Sequence, residues 1–337
     1  ISEVEMNNQN KIANLNQTFS TTKNLKKQKP ILENKKDEDK FETVLFSEPT
    51  IERKAEGGLR TKGYFKHCLP KQPLVTVITV VFNGEKYLED AILSVLHQTY
   101  DNIEYIIIDG DSTDGTLEII KKYDHAIDYW ISEKDQGIYD AMNKGIILSA
   151  GSIIGIVNSD DIIYSHTISN VVSAFKQKPK AKFTFGKVEL AAENGQVYGI
   201  SNSLPNKTIK DFSSDISMPF PHSSIYVKIE LYKFIGLYDL NYKLSADYDF
   251  TIKLIKQKIT NVELVQPVGF FRRGGKSGGL KTWLETKQVL LENGIWTKAN
   301  YRIIAASILK AFLVRALPLK TLTFLQKFRK KTKSIYY

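Results

Sequence analysis

The chain has 337 residues, 42% hydrophobic and 25% charged, which is the composition of an ordinary globular protein. Its net charge of +10 is unevenly placed, because the residues after Glu292 contain ten lysines and arginines and no acid. Residues 1–292 therefore hold 37 basic and 37 acidic groups, which argues against a generally basic nucleic-acid-binding protein. The single cysteine, Cys68, excludes an internal disulfide framework.

The first 72 residues have no clear periodic pattern. Residues 1–40 are rich in Asn, Lys, Gln and Thr, so we interpret them as a flexible leader or, alternatively, as a piece of an upstream domain. Residues 41–72 are transitional, with a short strand predicted at Phe41–Phe46 and a loop at Gly57–Arg60. We therefore predict a leader and transitional segment over residues 1–72.

From residue 73 the sequence alternates between apolar strands and helices. The strand candidates are short apolar runs of the kind that is buried on both faces of a sheet, Val75–Val81, Ile103–Ile108, Asp128–Ser132 and Ser152–Val157. Helical spacing of apolar residues predicts helices within 87–96, 116–123 and 138–149. This alternation predicts a parallel, doubly wound sheet whose strands end at one edge, where ligands bind in such folds.

After residue 180 the alternation fades into a mixed pattern. Phe183–Leu190 and Val197–Ile200 are joined across Asn194-Gly195, which predicts a hairpin. The remaining predicted elements are a strand at Ser223–Val227, a helix at Tyr248–Lys258 and a last strand at Val262–Val265. We expect this second half to complete a site on the sheet of the first half.

Acidic residues gather where two of the predicted strands end. Asp109, Asp111 and Asp114 follow the second strand, and Asp160 and Asp161 follow the fourth. Carboxylates that converge at a sheet edge repel one another unless a cation offsets them, and Mg²⁺ or Mn²⁺ prefers such oxygen ligands. The pattern predicts a divalent metal that binds the phosphates of a nucleoside diphosphate. The alternative is that Asp111, Ser112, Thr113 and Asp114 have only turn and N-cap roles.

Two common nucleotide-binding patterns are missing from the sequence. A dinucleotide-binding fold would carry Gly-x-Gly-x-x-Gly after the first strand, but the turn there reads Phe82-Asn83-Gly84-Glu85. The tripeptide Gly275-Lys276-Ser277 lacks the earlier glycine of a P-loop. Dehydrogenase and P-loop interpretations are therefore poor.

Three segments in fixed order resemble one enzyme family. They are VITVVFNGEKYLEDAILSVLHQTYDNIEYIIIDGDSTDGT, EKDQGIYDAMNKGI and GSIIGIVNSDD. The chain is similar over about residues 73–275 to the inverting family 2 glycosyltransferases of the GT-A fold, most of all to the bacterial branch that builds surface polysaccharides such as colanic acid. The resemblance implies an α/β GT-A domain over 73–280, with a Rossmann-like nucleotide-binding sheet and a mixed acceptor half, and a basic helical tail over 281–337.

The resemblance assigns the nucleotide of a sugar donor to the turn after the first strand and to the end of the second strand. Val81, Phe82 and Asn83 would hold the nucleoside, and Asp109 would contact its base. Asp111 is also a donor-site candidate, although many relatives carry a glycine at its position.

The diphosphate and the metal are assigned to two later segments. Met142 stands where many relatives carry an arginine, which leaves the diphosphate to the metal and to Lys144. The sequence Asn158-Ser159-Asp160-Asp161 occupies the position of the family's Asp-x-Asp motif. The resemblance therefore implies that Asp160 and Asp161 make the metal and ribose contacts.

Asp247 is the candidate for the general base. It matches the Asp of the family's Glu-Asp motif, with Ala246 in place of the Glu. Such a base takes a proton from the acceptor hydroxyl, which attacks the anomeric carbon opposite the leaving diphosphate, so that the configuration inverts. The metal would stabilise charge on the leaving group. Without the resemblance, Asp247 would be read as a helix N-cap.

Two further candidates lie later in the chain. His222 precedes a predicted strand on the acceptor side, where it would contact the acceptor or the diphosphate, or be structural. Arg273 and Lys276 belong to a glycine-rich basic loop that often closes over the diphosphate in relatives; a solvated loop is the alternative.

The basic tail suits an anionic membrane surface, because its cations alternate with leucine and phenylalanine. Part of the tail alternatively packs on the catalytic domain. No run of eighteen uncharged apolar residues indicates a membrane span. We expect a cytoplasmic enzyme on the inner face of the cell membrane that moves a sugar, most often from a UDP-sugar in such relatives, to a lipid-linked or oligosaccharide acceptor.

Two other functions stay open. A sugar-phosphate nucleotidyltransferase would need a glycine-rich loop with Arg and Lys after the first strand, which Phe82-Asn83-Gly84 does not supply. A non-catalytic relative that binds nucleotide sugars is permitted by the altered positions Asn158, Ala246 and Met142.

Overall fold

The computed structural model describes residues 12, 14–32, 36–272, 280–297, 300–302 and 305. Their strands are β1 Arg53–Gly57, β2 Val75–Val81, β3 Ile103–Asp109, β4 Tyr129–Glu133, β5 Ile153–Ile156, β6 Ile162–Ile163, β7 Phe183–Phe185, β8 Glu189–Ala191, β9 Val197–Ile200, β10 Tyr226–Lys228, β11 Asn261–Glu263 and β12 Gly269–Arg272. Their α-helices are α1 Leu88–Leu96, α2 Thr116–Lys122, α3 Ile138–Ile147, α4 Thr167–Gln177, α5 Ile229–Ile235, α6 Ala246–Lys256 and α7 Leu280–Glu292.

The strands form a large sheet and a small one. The large sheet has the order β1-β4-β3-β2-β5-β10-β7-β11, and the small one has the order β6-β12-β8-β9. Strands β4, β3, β2 and β5 run parallel to one another, whereas β10 runs antiparallel to β5 and β7. The predicted α/β fold with a parallel first half and a mixed second half is therefore confirmed.

The parallel strands are buried on both faces. In β2, Ile78 and Val80 pack into one apolar cluster, and Val75 and Val77 pack into a second cluster on the other face. Helix α3 packs close to the sheet because Gly145 has no side chain at the contact. A Cβ at this position would come within 2.4 Å of the Ile78 side chain. Short apolar runs of this kind form strands because both faces leave water.

Four sequence-based element predictions differ from the structure. Residues 41–46 form no strand. The run Phe183–Leu190 divides into β7 and β8, which belong to different sheets, although β8 and β9 do pair as the predicted antiparallel hairpin. Residues 223–224 lie in a 3₁₀ turn before β10. Strand β11 is followed by β12, so it is not the last strand.

The segment before residue 73 contributes to the fold. Ser20 Oγ donates to the Val95 carbonyl at 3.0 Å and Thr21 Oγ1 donates to the Ala126 carbonyl at 2.6 Å, and Leu25 is fully buried. Strand β1 pairs antiparallel with β4. Residues 14–32 therefore contact the body of the protein, while the interpretation of residues 1–40 as a leader or as a piece of an upstream domain stays a prediction. The domain boundaries at 73 and 280 stay predictions.

A buried ion pair ties this segment to the sheet. Arg60 and Glu104 contact at 2.5 Å with side chains 2% and 1% exposed. Arg60 also donates to the carbonyls of Leu45 and Leu148, and Glu104 accepts from Thr76 Oγ1 at 2.6 Å. Each of these two buried charges is therefore compensated by several hydrogen-bond partners.

Removing one charge of this pair leaves the other buried and unpaired. We expect Arg60→Met to lower the free energy of unfolding by about 3–5 kcal/mol, measured by urea denaturation. The control is Lys182→Met, since Lys182 and Glu230 form a 2.9 Å pair that is 43% and 52% exposed. That change should cost less than about 1 kcal/mol. Equal effects of the two changes would contradict the structural role of the buried pair.

Within the described ranges, none of the helices combines the length and the apolar character needed to cross a bilayer. Helix α7, the first part of the predicted tail, packs Val289 and Leu290 into the core. Residues 298–299, 303–304 and 306–337 of the predicted tail lie outside the described residues.

Candidate active site

The site is built where β2, β3 and β5 end at one edge of the large sheet. Val81 is opposite Asp109 in the register of β2 and β3, which brings their following loops together. Asn83, at a left-handed φ of 53°, links these loops, because its N–H donates to Ser112 Oγ at 2.8 Å and its Oδ1 accepts from the Thr113 N–H at 2.9 Å. Of the two residues that precede Asn83, Val81 is buried and Phe82 is 57% exposed.

Asp109 lies beneath the loop rather than on its surface. It is fully buried, and its carboxylate accepts hydrogen bonds from the Ser112 hydroxyl and from Ser132 Oγ at 2.6 Å. Asp111 lies on the rim with a left-handed φ of 66°, where glycine is favoured, and it pairs with Lys54 at 3.4 Å. The structure therefore brings both predicted residues to the edge, with Asp109 positioned to fix the loop.

Asp114 has the structural turn role that the sequence predicted as an alternative to metal or ligand binding. It accepts from the Thr116 N–H at 3.0 Å and from the Glu85 N–H at 3.1 Å. Although burial acts to raise it, these hydrogen bonds lower the pKa of Asp114. Its oxygens are used to join the loops after β2 and β3.

Lys144 is engaged by acids near the end of β4. Its Nζ contacts Glu133 at 2.9 Å and Asp140 at 3.7 Å. Asp135, which sequence reasoning missed, lies beside Gly110, where an added Cβ would come within 2.4 Å of its Oδ2. Burial raises the pKa of Asp135, with smaller contributions from Asp140 and Asp109. Its position after a parallel strand was the signal that could have identified it.

The turn after β5 carries the two predicted metal ligands. Asp161 is 3% exposed; its Oδ2 accepts from Asn158 Nδ2 at 3.0 Å, while its Oδ1 receives no hydrogen bond from the described part of the chain. Asp160 is half-buried. Burial, and then the neighbouring Asp160, raise the pKa of Asp161 well above its usual value. An unpaired buried carboxylate of this kind is stabilised by a cation.

A small cavity borders the same turn. Its lining includes Asp161, Ser223, Val188 and Phe270, and its volume is about 10 Å³, which suffices for about one water molecule. Among the described residues, no three His, Cys, Asp or Glu side chains converge as a metal site. The two carboxylates with one unpaired oxygen nevertheless fit a hard divalent cation that takes its remaining ligands from phosphate and water.

Arg272 fixes this turn, and sequence reasoning missed it. Its guanidinium donates to the Asp160 carbonyl at 2.9 Å and to the Asp90 carboxylate at 2.7 Å. It also lies 4.5 Å from the centre of the Tyr87 ring. Arg272 therefore connects the small sheet, helix α1 and the Asp160 turn. The predicted residues Arg273 and Lys276 lie outside the described residues.

Asp247 lies in the first turn of α6, one residue after the helix begins at Ala246, and no side-chain cap bond is made at Ser245. The N-cap interpretation is therefore wrong. The Asp247 Oδ1 accepts the Tyr139 hydroxyl at 2.7 Å and the Tyr248 N–H at 2.9 Å, while Oδ2 receives no hydrogen bond from the described residues. The carboxylate is half-buried and keeps one oxygen for a further donor.

His222 stands close to Asp247. Its Nε2 contacts the Tyr238 hydroxyl at 2.7 Å, and Asn143 holds the Tyr238 backbone through two hydrogen bonds of 2.9 Å. Burial lowers the pKa of His222, and the negative charge of Asp247 partly offsets this. Since Ser223 lines the cavity beside Asp161, the His222-Ser223 turn connects the carboxylates of the sheet edge with Asp247.

Comparisons with known proteins show the family to which the chain is similar. The model of the family described as "Glycosyl transferase family 2" matches residues 76–227. A glycosyltransferase of PGL/p-HBAD biosynthesis from Mycobacterium bovis is 25% identical over 239 residues, covering 69% of this chain and 88% of that protein. An uncharacterized glycosyltransferase from Mycobacterium tuberculosis is 30% identical over 189 residues, covering 54% of this chain and 68% of that protein.

Solved structures share the fold. TarS 1–349 from S. aureus in complex with UDP-GlcNAc has a TM-score of 0.53 at 19% identity, covering 71% of this chain and 72% of that one. A mannosyltransferase from Pyrobaculum calidifontis in complex with GDP-Man and Mn²⁺ has a TM-score of 0.51 at 18% identity, covering 77% of this chain and 80% of that one. The chain therefore belongs to glycosyltransferase family 2 and has the GT-A fold.

Proposed function

We propose that this glycosyltransferase is a metal-dependent inverting enzyme that takes a sugar from a nucleoside-diphosphate donor, most simply a UDP-sugar. The observation that carries the proposal is a buried oxygen of Asp161, next to Asp160 at the carboxyl edge of the parallel sheet, that accepts no hydrogen bond from the residues the structure describes. The UDP-GlcNAc complex of TarS and the GDP-Man and Mn²⁺ complex of the mannosyltransferase support a nucleotide-sugar donor and a divalent metal.

The donor would lie along the loops after β2, β3 and β5. Val81, Phe82, Asn83 and Asp109 form or support the nucleoside side of this groove, with Asp111 at its rim. Asp160 and Asp161 would hold a Mg²⁺ or Mn²⁺ ion, which when bound offsets the charge of the diphosphate. Arg273 and Lys276 are proposed to reach the diphosphate from their loop, and Lys144 is proposed as a further cation at the β4 end.

Asp247 would act as the general base. Its Oδ2, which receives no hydrogen bond from the described part of the chain, can accept the proton of an acceptor hydroxyl, while Tyr139 holds Oδ1 and so fixes the direction of the carboxylate. The hydroxyl oxygen then attacks the anomeric carbon as the bond to the diphosphate breaks, and a single displacement inverts the configuration. His222, beside Asp247, is proposed to orient the acceptor or the diphosphate.

The acceptor is proposed to be a lipid-linked or oligosaccharide substrate of surface polysaccharide synthesis, met on the cytoplasmic face of the cell membrane. Support comes from the ten cations that follow Glu292 and from a relative named for PGL/p-HBAD biosynthesis. Residues 306–337 would add attraction to anionic lipid.

The test is a panel of nucleotide sugars incubated with the full chain, with Mg²⁺, with Mn²⁺ or with EDTA. We expect one donor to release nucleoside diphosphate only when metal is present, and NMR to show an inverted anomeric centre in the first product. Pyrophosphate release from a nucleoside triphosphate and a sugar phosphate would instead indicate a nucleotidyltransferase. Donor binding without turnover by any acceptor would indicate a non-catalytic relative.

A further inference from the structure

Helix α7 has two apolar faces, and the described residues cover only one of them. Val289 and Leu290 are fully buried in the core. Leu280, Leu284 and Leu291 recur at helical spacing on the opposite side and are 61%, 57% and 50% exposed. Large apolar side chains that line up on the solvent side of a helix mark a surface that contacts something else.

The charged side chains next to these leucines are lysines. Lys281 is exposed beside the stripe, and Lys287 lies within it, 5.7 Å from the Trp296 ring and 5.2 Å from the Tyr301 ring. The two acids of α7 are used elsewhere: Glu285 accepts the Lys243 and Leu244 N–H groups, and Glu292 accepts the Tyr242 hydroxyl. The leucine stripe therefore lies beside two lysines of the same helix, and one of these lysines contacts two aromatic rings of the segment that follows α7.

The sequence that continues from this helix has the same character. After Glu292 the chain has ten lysines and arginines and no acid, so this end of the molecule is complementary to an anionic surface. Exposed leucines and lysines on one helix are a combination that binds in the plane of an anionic bilayer interface.

Helix α7 also contacts the segment that leads into Asp247. Its Glu285 holds the Lys243 and Leu244 N–H groups at 3.1 and 2.7 Å, and its Thr282 carbonyl accepts from Ser245 Oγ at 3.3 Å. A partner that binds α7 would therefore lie next to residues 243–245, which lead into helix α6 and Asp247.

We propose that the leucine stripe of α7, Leu280, Leu284 and Leu291, docks on an anionic lipid bilayer and so presents Asp247 to a lipid-borne acceptor. The second part of this inference rests on the proposed function, whereas docking itself does not. The stripe inserts at the interface, Lys281 and Lys287 meet the anionic headgroups, and Glu285 links the docked helix to the base-bearing segment.

The test uses the full chain and two sets of vesicles, phosphatidylcholine alone and phosphatidylcholine with phosphatidylglycerol, in a flotation assay. The variant carries Leu280→Gln, Leu284→Gln and Leu291→Gln. The matched control carries Ile51→Gln, Phe234→Gln and Val265→Gln, which change three apolar residues that are 106%, 52% and 99% exposed outside α7. Metal-dependent hydrolysis of the nucleotide sugar is measured for every protein.

We expect the stripe variant to bind the anionic vesicles at least tenfold more weakly, the control to bind like the unchanged protein, and added salt to weaken binding. Donor hydrolysis should be the same in all three proteins, which separates lost docking from lost folding. Undiminished vesicle binding by the stripe variant would overturn the proposal. Failure of the unchanged protein to bind, or a self-associated form that the stripe substitutions dissociate, would also overturn it. Docking without any donor turnover would refute only the proposed function.

Discussion

Asp161→Ala is expected to abolish the response of sugar transfer to divalent metal and to lower turnover by about 10³-fold. The reason is that charge stabilisation by a bound metal contributes several kcal/mol, and about 1.4 kcal/mol corresponds to a factor of ten in rate. In the structure Asp161 is 3% exposed, and its Oδ1 finds no donor among the described residues, so this oxygen is poised for a cation. The measurement is nucleoside diphosphate release during titration with Mn²⁺, together with Mn²⁺ binding followed by electron paramagnetic resonance.

Asp114→Asn is the matched control, because Asp114 belongs to the same sheet edge but already accepts hydrogen bonds from Thr116 and Glu85. We expect a stability loss of about 1 kcal/mol from the weakened turn and an unchanged metal response. If Asp161→Ala keeps full turnover with an unchanged Mn²⁺ titration, the assignment of Asp161 to the metal is wrong.

Asp247→Asn is expected to lower the rate of transfer by about 10²- to 10⁴-fold with little change in donor affinity. An amide has the size of the carboxylate but cannot accept the acceptor proton, and general-base catalysis contributes about this factor. Donor affinity should persist because the Asp160 turn and the loops after β2 and β3 are untouched. The measurements are single-turnover transfer and binding of the nucleoside diphosphate by calorimetry.

The control for Asp247 is Asp249→Asn, two residues along the same helix. Asp249 pairs with Lys253 at 2.6 Å and is 4% exposed, so its loss should lower the melting temperature while transfer per folded molecule is retained. Transfer by Asp247→Asn at the rate of the unchanged enzyme would rule out Asp247 as the base. An equal loss of transfer in both variants would point to helix α6 as a whole.

The sequence predicts elements best where burial alone decides the structure. Strand β2 has the predicted bounds because Val75–Val81 is an unbroken apolar run that leaves water on both faces. Strand β1 was missed because Arg53–Gly57 is half polar and becomes a strand only by pairing with β4. The run over 183–190 was read as one strand although its halves enter different sheets, a division that depends on tertiary contacts.

The same distinction applies to the site. Asp109, Asp160 and Asp161 could be predicted as site candidates because Asp109 ends a recognisable parallel strand and the other two follow one. Arg272 and Tyr139 were not found, because their partners are distant in sequence: Arg272 meets Asp160 across 112 residues and Tyr139 meets Asp247 across 108 residues. Such contacts follow from how the second half packs on the first, and no local spacing encodes them.

Strand β1 also affects the tendency of the protein to aggregate. It covers the free edge of β4, and an uncovered strand edge offers its N–H and C=O groups to neighbouring chains. The strand comes from residues upstream of the family-matched segment 76–227. A recombinant fragment trimmed to that segment would keep the proposed metal ligands but expose β4 as a template for aggregation. The upstream segment thus replaces β4 at the edge of the large sheet with β1, whose Arg53, Lys54 and Glu56 are charged and disfavour pairing with a neighbouring chain.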